Sequence, residues 1–339
     1  MQEVTLKDSR MFVWPGVHAE AGENVRVLAR DSVRAFVLTD RNCLEIARRV
    51  AMSLQMARFE VSGGVLPPSK GALKANVVAK AQARLEGLPP EGTSLVAVGG
   101  SALLHHAARL AGERPRFYVP TTLRAQLDTA LGGSSCPRLG AWTPAVAVFS
   151  DPTLLRTLPL REFLGGMAEA VKCALVQDPD LFEFLDAQGM ALRDRGQNAI
   201  EELVWRAGTV KAAAVNSPTP GPGARATFHY GHGVGGALER LAGAAVIHGE
   251  ALAVGMEAEV FLARRLGWVD DEVPQAQNRL LKSFGLPTRA KGLPADRLAQ
   301  ALLERGPFAP DLPDSLGHAR GPAEVPADLL KAAIAFVTK

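Results

Sequence analysis

Short apolar, β-branched runs alternate with helical patterns through the first half of this chain, and after about residue 157 the runs give way to helical periodicity alone. Arg34–Asp40 (RAFVLTD), Ser94–Gly100 (SLVAVGG), Phe117–Pro120 and Ala145–Phe149 read as strands. Ile46, Val50 and Leu54 follow the first of them at helical spacing, and Ala102–Leu110 opens a helix directly after Gly99-Gly100. Parallel strands need a crossover of a dozen or more residues, usually a helix. The alternation therefore predicts a doubly wound, mainly parallel α/β sheet.

From Leu158 onward Leu160, Phe163, Leu164, Met167, Val171 and Leu175 recur at helical spacing, with Asp151-Pro152 as an N-cap and first-turn proline. Helical patterns continue through 195–215, 234–242, 249–266 and 272–284, whereas Ser217–Gly223 and much of 305–326 read as loops. A chain of 339 residues is long for one core. The reading is two domains, an α/β domain at 1–157 and a mainly helical one at 158–339.

Composition excludes several classes. The net charge is only +3 and the basic residues are spread along the chain, which argues against nucleic acid and fits a small anionic ligand slightly better. No stretch of about 18 apolar residues occurs, so no membrane helix is expected. Cys43, Cys136 and Cys173 are odd in number and form no CxxC, which points to reduced thiols in a cytoplasm.

Three segments carry chemistry: GGMAEAVKCAL (165–175), HYGHGVGGALE (229–239) and VIHGEALAVGM (246–256). They contain Glu169, His232 and His248, one carboxylate and two imidazoles, a set suited to a catalytic divalent metal with an open position. Plainer readings compete. Glu169 and Lys172 share a helix face and suit a solvent-exposed ion pair, and lone histidines are often core or surface residues. Val98-Gly99-Gly100-Ser101, between strand and helix, suits either a phosphate or a tight turn. Val119-Pro-Thr-Thr-Leu123 places two hydroxyls at a strand end, for a ligand or a cap.

In order, VPTTL with QLDTALGG, TLPLREFLGGMAEAVK, VKAAAV, the Gly-His loop and HGEALAVGM resemble the 3-dehydroquinate synthase family of sugar-phosphate cyclases, over roughly residues 34–290. The resemblance implies an N-terminal Rossmann-like NAD domain, a helical C-terminal domain, an active site in the cleft and a homodimer. It implies a zinc or cobalt ion on Glu169, His232 and His248, with Asp128, Lys172, Lys211 and Arg225 around an anionic sugar phosphate of the shikimate pathway. Asp40, Lys70, Gly99, Gly100, Thr121, Thr122 and Thr157 match the positions around the dinucleotide. The implied reaction oxidises a ring alcohol transiently, eliminates phosphate and closes a carbocycle, with the metal as Lewis acid.

The chain departs from the family pattern at several points. The loop's second histidine is Gly236, and the asparagine before the loop is His229. A lysine after Gly132-Gly133 is Ser134, and a Lys-Asn pair is missing from the short segment 135–143. The nucleotide turn has Ser101 and His105 where the family has glycine and aspartate; an acidic position is Pro67, and an arginine position is Gly112, with Arg114 close by. The C-terminal Asp-Lys-Lys motif is not found. Each charge-assisted contact to phosphate contributes about 1.5–3 kcal/mol, so these losses bear on affinity unless His229, His105, His106 or Arg138 substitute. Three readings stand at this stage: a cyclase with a remodelled phosphate site, a metal-dependent alcohol dehydrogenase on the same scaffold, and a non-catalytic paralogue.

Overall fold

The computed structural model describes residues 1–68, 75–132 and 144–339. They form two compact units, one of residues 1–158 with 200–208, the other of residues 159–199 with 209–339.

In the first unit β1 (Gln2–Leu6) and β2 (Ser9–Val13) make an antiparallel hairpin. The remaining strands run parallel, with α1 (Ala21–Leu28), α2 (Leu44–Met56), α3 (Ala75–Glu86), α4 (Ser101–Leu110) and α5 (Leu123–Leu127) among the connections. They are β3 (Arg34–Asp40), β4 (Glu60–Leu66), β5 (Thr93–Gly99), β6 (Arg116–Pro120) and β7 (Ala147–Ser150). The sheet order is β1-β2-β7-β6-β5-β3-β4. β5 and β6 are buried along their whole length, as parallel strands covered on both faces must be. Val37, Val96, Val98, Phe117, Val119 and Phe149 join helix residues such as Val25, Val50 and Leu54 in one apolar cluster.

The chain passes from β3 to β4 on one side, then crosses to β5 on the other, so the order reverses between β3 and β5. Such a reversal opens a crevice at the carboxyl ends of the strands. Asp40 ends β3, Gly99 ends β5, and Thr121-Thr122 and Asp151 follow β6 and β7.

The second unit contains α6 (Leu160–Gln177), α7 (Pro179–Arg193), α9 (Pro222–His229), α10 (His232–Ala242), α11 (His248–Arg265), α12 (Glu272–Ser283), α13 (Ala295–Leu303) and α14 (Ala327–Thr338). Helix α8 (Gln197–Asn216) contributes residues to both units. Helices α6 and α11 are buried over nearly all of their length, which identifies them as central helices rather than surface ones.

Helices α8, α10, α11 and α12 cover the segments 195–215, 234–242, 249–266 and 272–284 to within two residues at their ends, as the periodicity predicts. Two local expectations gain detail. Residues 305–326 are not only loop: β8 (Leu312–Ser315) and β9 (His318–Arg320) pair antiparallel, strands too short and too rich in polar residues to announce themselves. Asp151 does cap, accepting from the Thr153 N–H, but what it opens is a 3₁₀ helix, Pro152–Thr157, which ends before Pro159. Among the described residues no helix is long and apolar enough to cross a membrane.

Candidate functional site

Glycine sets the geometry of the second unit. A Cβ on Gly249, at the start of α11, would lie 1.8 Å from the Gly165 carbonyl oxygen on α6. One on Gly255 would lie 1.9 Å from the carbonyl oxygen of Gly231. Helix α11 therefore touches α6 and the glycine turn backbone to backbone, which no other residue type permits at either contact. Gly231 itself caps α10 at φ +77°. Arg161 adds a clamp: its guanidinium donates to both oxygens of Glu250, at 2.6 Å each, tying the first turn of α6 to that of α11.

These contacts bring Glu169, one turn beyond Gly165 on α6, to His248 at the head of α11 and His232 at the head of α10. One ligand atom from each of the three lies within 4.8 Å of the others. His248 Nε2 faces Glu169 Oε1 at 3.0 Å, and the imidazole centroids are 5.3 Å apart.

The hydrogen bonds behind the rings fix which nitrogens face the group. His248 Nδ1 donates to Glu239 Oε2 at 3.0 Å, and His232 Nδ1 donates to the Tyr230 carbonyl at 3.3 Å. Nδ1 of each ring is thus committed to an acceptor behind it, which leaves Nε2 as the nitrogen turned toward the group. A carboxylate and two imidazoles prepared in this way fit a divalent metal such as zinc or cobalt.

Glu169 and Lys172 are not a solvated surface pair: they are 1% and 0% exposed, with Nζ 2.5 Å from Oε2. Burial alone would raise the carboxyl of Glu169. The charge of Lys172, the His248 bond and the two imidazoles prevail and hold it well below 4.5, so it is an anion ready to coordinate. Lys211 is also fully buried, its Nζ 4.1 Å from the centroid of the Phe228 ring and 3.4 Å from the Thr227 carbonyl oxygen. Arg225 is engaged elsewhere: Nε and Nη2 donate to the two oxygens of Asp311 at 2.9 and 2.5 Å, and Nη1 to the Pro220 carbonyl at 3.0 Å.

The other predicted residues lie in the first unit. Asp128 closes α5 and is buried. Asp40 accepts from the Asn42 N–H at 2.8 Å. Gly100 packs so near Thr122 that a Cβ there would meet Thr122 Cγ2 at 3.1 Å, joining the turns after β5 and β6. Thr121 bonds the Gly99 carbonyl through its N–H at 3.1 Å, while Thr157 is exposed at the end of the 3₁₀ helix. Lys70, Ser134 and Arg138 lie outside the described residues.

Arg114 and the proposed substitutes divide. Arg114 points inward, donating to the carbonyls of Leu85 and Leu88 at 3.2 and 2.9 Å, and is spent on structure. His105 is half-buried, its pKa lowered by burial and by Arg124 against the opposing pull of Asp128. His229 is exposed at the end of α9. Around Gly236 there is room: an added Cβ would meet only Arg240 Nη1, at 3.7 Å.

Sequence reasoning missed Glu239, Glu250 and Glu259. Glu239 stands seven residues beyond His232, two turns along the same face of α10, and that spacing was the available signal. Glu250 completes a capping box for α11, its Oε2 accepting from the Ile247 N–H at 3.2 Å.

The same region matches a known family. A family model described as 3-dehydroquinate synthase C-terminal matches residues 166–305. The 3-dehydroquinate synthase of Nostoc punctiforme is 33% identical over 304 residues, 84% of each chain. That of Pyrobaculum aerophilum is 40% identical over 222 residues, 62% of this chain and 64% of that protein. The fold is that of 2-deoxy-scyllo-inosose synthase, solved with carbaglucose-6-phosphate, NAD+ and Co2+, which superposes with a TM-score of 0.85 at 22% identity over 98% of both chains. On the strength of the Nostoc match and the ordered motifs, the chain belongs to the 3-dehydroquinate synthase family.

Proposed function

We propose that this protein is a metal- and NAD-dependent cyclase of the 3-dehydroquinate synthase type, eliminating phosphate from an anionic sugar phosphate to form a carbocycle. The observation that carries the reading is the convergence of buried Glu169 with the half-buried His232 and His248, both Nδ1 atoms already committed to acceptors. Burying Lys172 and Glu169 costs stability unless a ligand uses them. That cost weighs against a non-catalytic paralogue.

When bound, the metal supplies Lewis acidity toward hydroxyl and carbonyl oxygens, and NAD supplies reversible hydride acceptance. Glu169, His232 and His248 would hold the metal. Asp40, Lys70, Gly99, Gly100, Thr121, Thr122 and Thr157 would hold the dinucleotide at the carboxyl ends of the sheet, where the strand order reverses. Residues 1–157 form the dinucleotide domain in this reading, and 158–339 the metal and substrate domain.

Lys172 and Lys211 would bind the substrate's anionic groups as compact point charges, strengthened by their removal from water. Arg225 would join them by exchanging Asp311 for a substrate anion. Asp128 would accept a substrate hydroxyl. A cytoplasmic homodimer acting in the shikimate pathway, and hence in aromatic amino acid synthesis, completes the reading. Family membership supports it.

The test is phosphate release with dehydroquinate formation when metal and NAD are both supplied, together with complementation of a strain unable to make dehydroquinate. Absence of both overturns the proposal.

A further inference from the structure

We propose that Glu259 is a positioning residue for the metal centre, holding from α11 the glycine turn that aims His232. The inference rests on the metal-centre reading above. Glu259 is 1% exposed, and its Oε2 accepts the backbone N–H of Gly231 at 2.7 Å, the residue immediately before His232. Helix α10 has no side-chain cap of its own, because its capping residue is Gly231. A carboxyl group from the neighbouring helix does that work instead, satisfying a first-turn donor.

The fit is close on every side. A Cβ on Gly233 would lie 2.3 Å from Phe308 Cε2 and 3.3 Å from Glu259 Oε1, so the turn is wedged between the carboxyl group and the Phe308 ring. Tyr230, just before Gly231, is fixed by its hydroxyl, which donates to Gln277 Oε1 at 2.6 Å, while its carbonyl accepts from His232 Nδ1. The backbone on either side of Gly231 is therefore tied down, and the direction of the His232 ring follows from it. Burial pushes the Glu259 carboxyl up to about 8 against the opposing N–H groups of Gly231, Val234 and Gly233. Such a buried acid is costly to keep unless it holds something in place.

The experiment is cobalt titration of the full-length protein followed by its visible absorption, with thermal unfolding of the metal-free form measured alongside. Glu259→Ala should bind cobalt at least about tenfold more weakly and shift or broaden the visible band, as loss of a supporting contact does at metal sites. Glu259→Gln keeps an acceptor for Gly231 and should stay within about threefold of the parent. Leu185→Ala, which deletes a buried side chain on α7, should lower thermal stability and leave cobalt affinity and the band unchanged.

Parental affinity in Glu259→Ala overturns the proposal, as does equal loss in Glu259→Gln or in Leu185→Ala. Should Glu259→Ala not fold, Glu259→Asp, one methylene short of Gly231, takes its place: weakened binding supports the proposal and parental binding overturns it. A parent protein that takes up no cobalt overturns the metal-centre reading and this one together.

Discussion

Nδ1 of His248 lies 3.0 Å from Oε2 of Glu239, which stands on α10 two turns beyond His232. One helix thus carries one imidazole of the proposed centre and the carboxylate hydrogen-bonded to the other. The relation explains why α10 and α11 must pack as tightly as their glycines allow: a shift along either axis would misplace a ligand and break the bond behind it.

Glu239→Ala should weaken metal binding by roughly 10–100-fold, the usual effect of losing a carboxylate behind a ligating histidine. His248→Ala should abolish stoichiometric binding altogether. Metal analysis after equilibrium dialysis distinguishes the two, and unchanged metal content in His248→Ala would refute the ligand assignment.

Lys172→Met leaves Glu169 as a buried anion without its lysine. Breaking one partner of such a pair costs about 3–5 kcal/mol, and the metal-free protein should lose stability on that scale in urea. Divalent metal should restore part of the loss, because an ion on Glu169 neutralises the same charge. Turnover should stay low with metal bound, since the substrate's cation is gone. A variant equally stable with and without metal would contradict this account.

Two glycines should respond in opposite directions. Gly249→Ala drives a Cβ to 1.8 Å from the Gly165 carbonyl oxygen, a backbone atom that cannot swing aside, and should cost about 1–3 kcal/mol or more along with metal affinity. Gly236→Ala, in the middle of α10 with only Arg240 Nη1 at 3.7 Å, should gain close to ~1 kcal/mol from helix propensity. Thermal melts of the two variants check the pair, and a destabilised Gly236→Ala would show that the space is needed.

The contrast shows what was legible in the chain. Strands β3, β5, β6 and β7 were readable because each is a continuous apolar run. Strand β4 (EVSGGVL) was not, since two glycines interrupt it and much of its surface is exposed. Glu169 was readable as a candidate, yet periodicity could not tell a solvated Glu-Lys pair from a buried one. That distinction depends on α11 covering α6, a contact between residues some 80 positions apart in the sequence. Glu259 left no local signal at all: its partner is a backbone N–H, which looks the same at every position.

Acid should expose a second buried carboxylate. Asp151 is fully buried, accepting His18 Nδ1 at 2.5 Å and the Gly16 N–H at 2.8 Å on one oxygen, and the N–H and O–H of Thr153 on the other. Burial would raise its pKa, but His18 and Thr153 prevail and hold it below the ordinary 3.8. A carboxyl depressed on folding adds stability above its unfolded value, and that stability drains away as pH falls below about 3.8. Asp151→Asn should be less stable at neutral pH and show a shallower decline as pH falls below about 3.8. Urea midpoints at each pH measure it, and an undiminished acid slope in the variant would assign the decline to other groups.

The engagement of Arg225 by Asp311 leads to the last expectation. The pair is bidentate, but the arginine side chain is 37% exposed, so solvent screening limits its worth to about 1 kcal/mol. An anionic substrate can therefore compete for this guanidinium at modest cost, gaining a contact of about 1.5–3 kcal/mol in exchange. Asp311→Ala removes the competitor. KM for the sugar phosphate should fall by up to about tenfold, the equivalent of roughly 1.4 kcal/mol, while the unfolding midpoint drops slightly. Arg225→Ala in the same background should cancel the gain. A KM indifferent to both changes would make Arg225 a structural clasp between α9 and the segment leading into β8, leaving Lys172 and Lys211 to carry the anion.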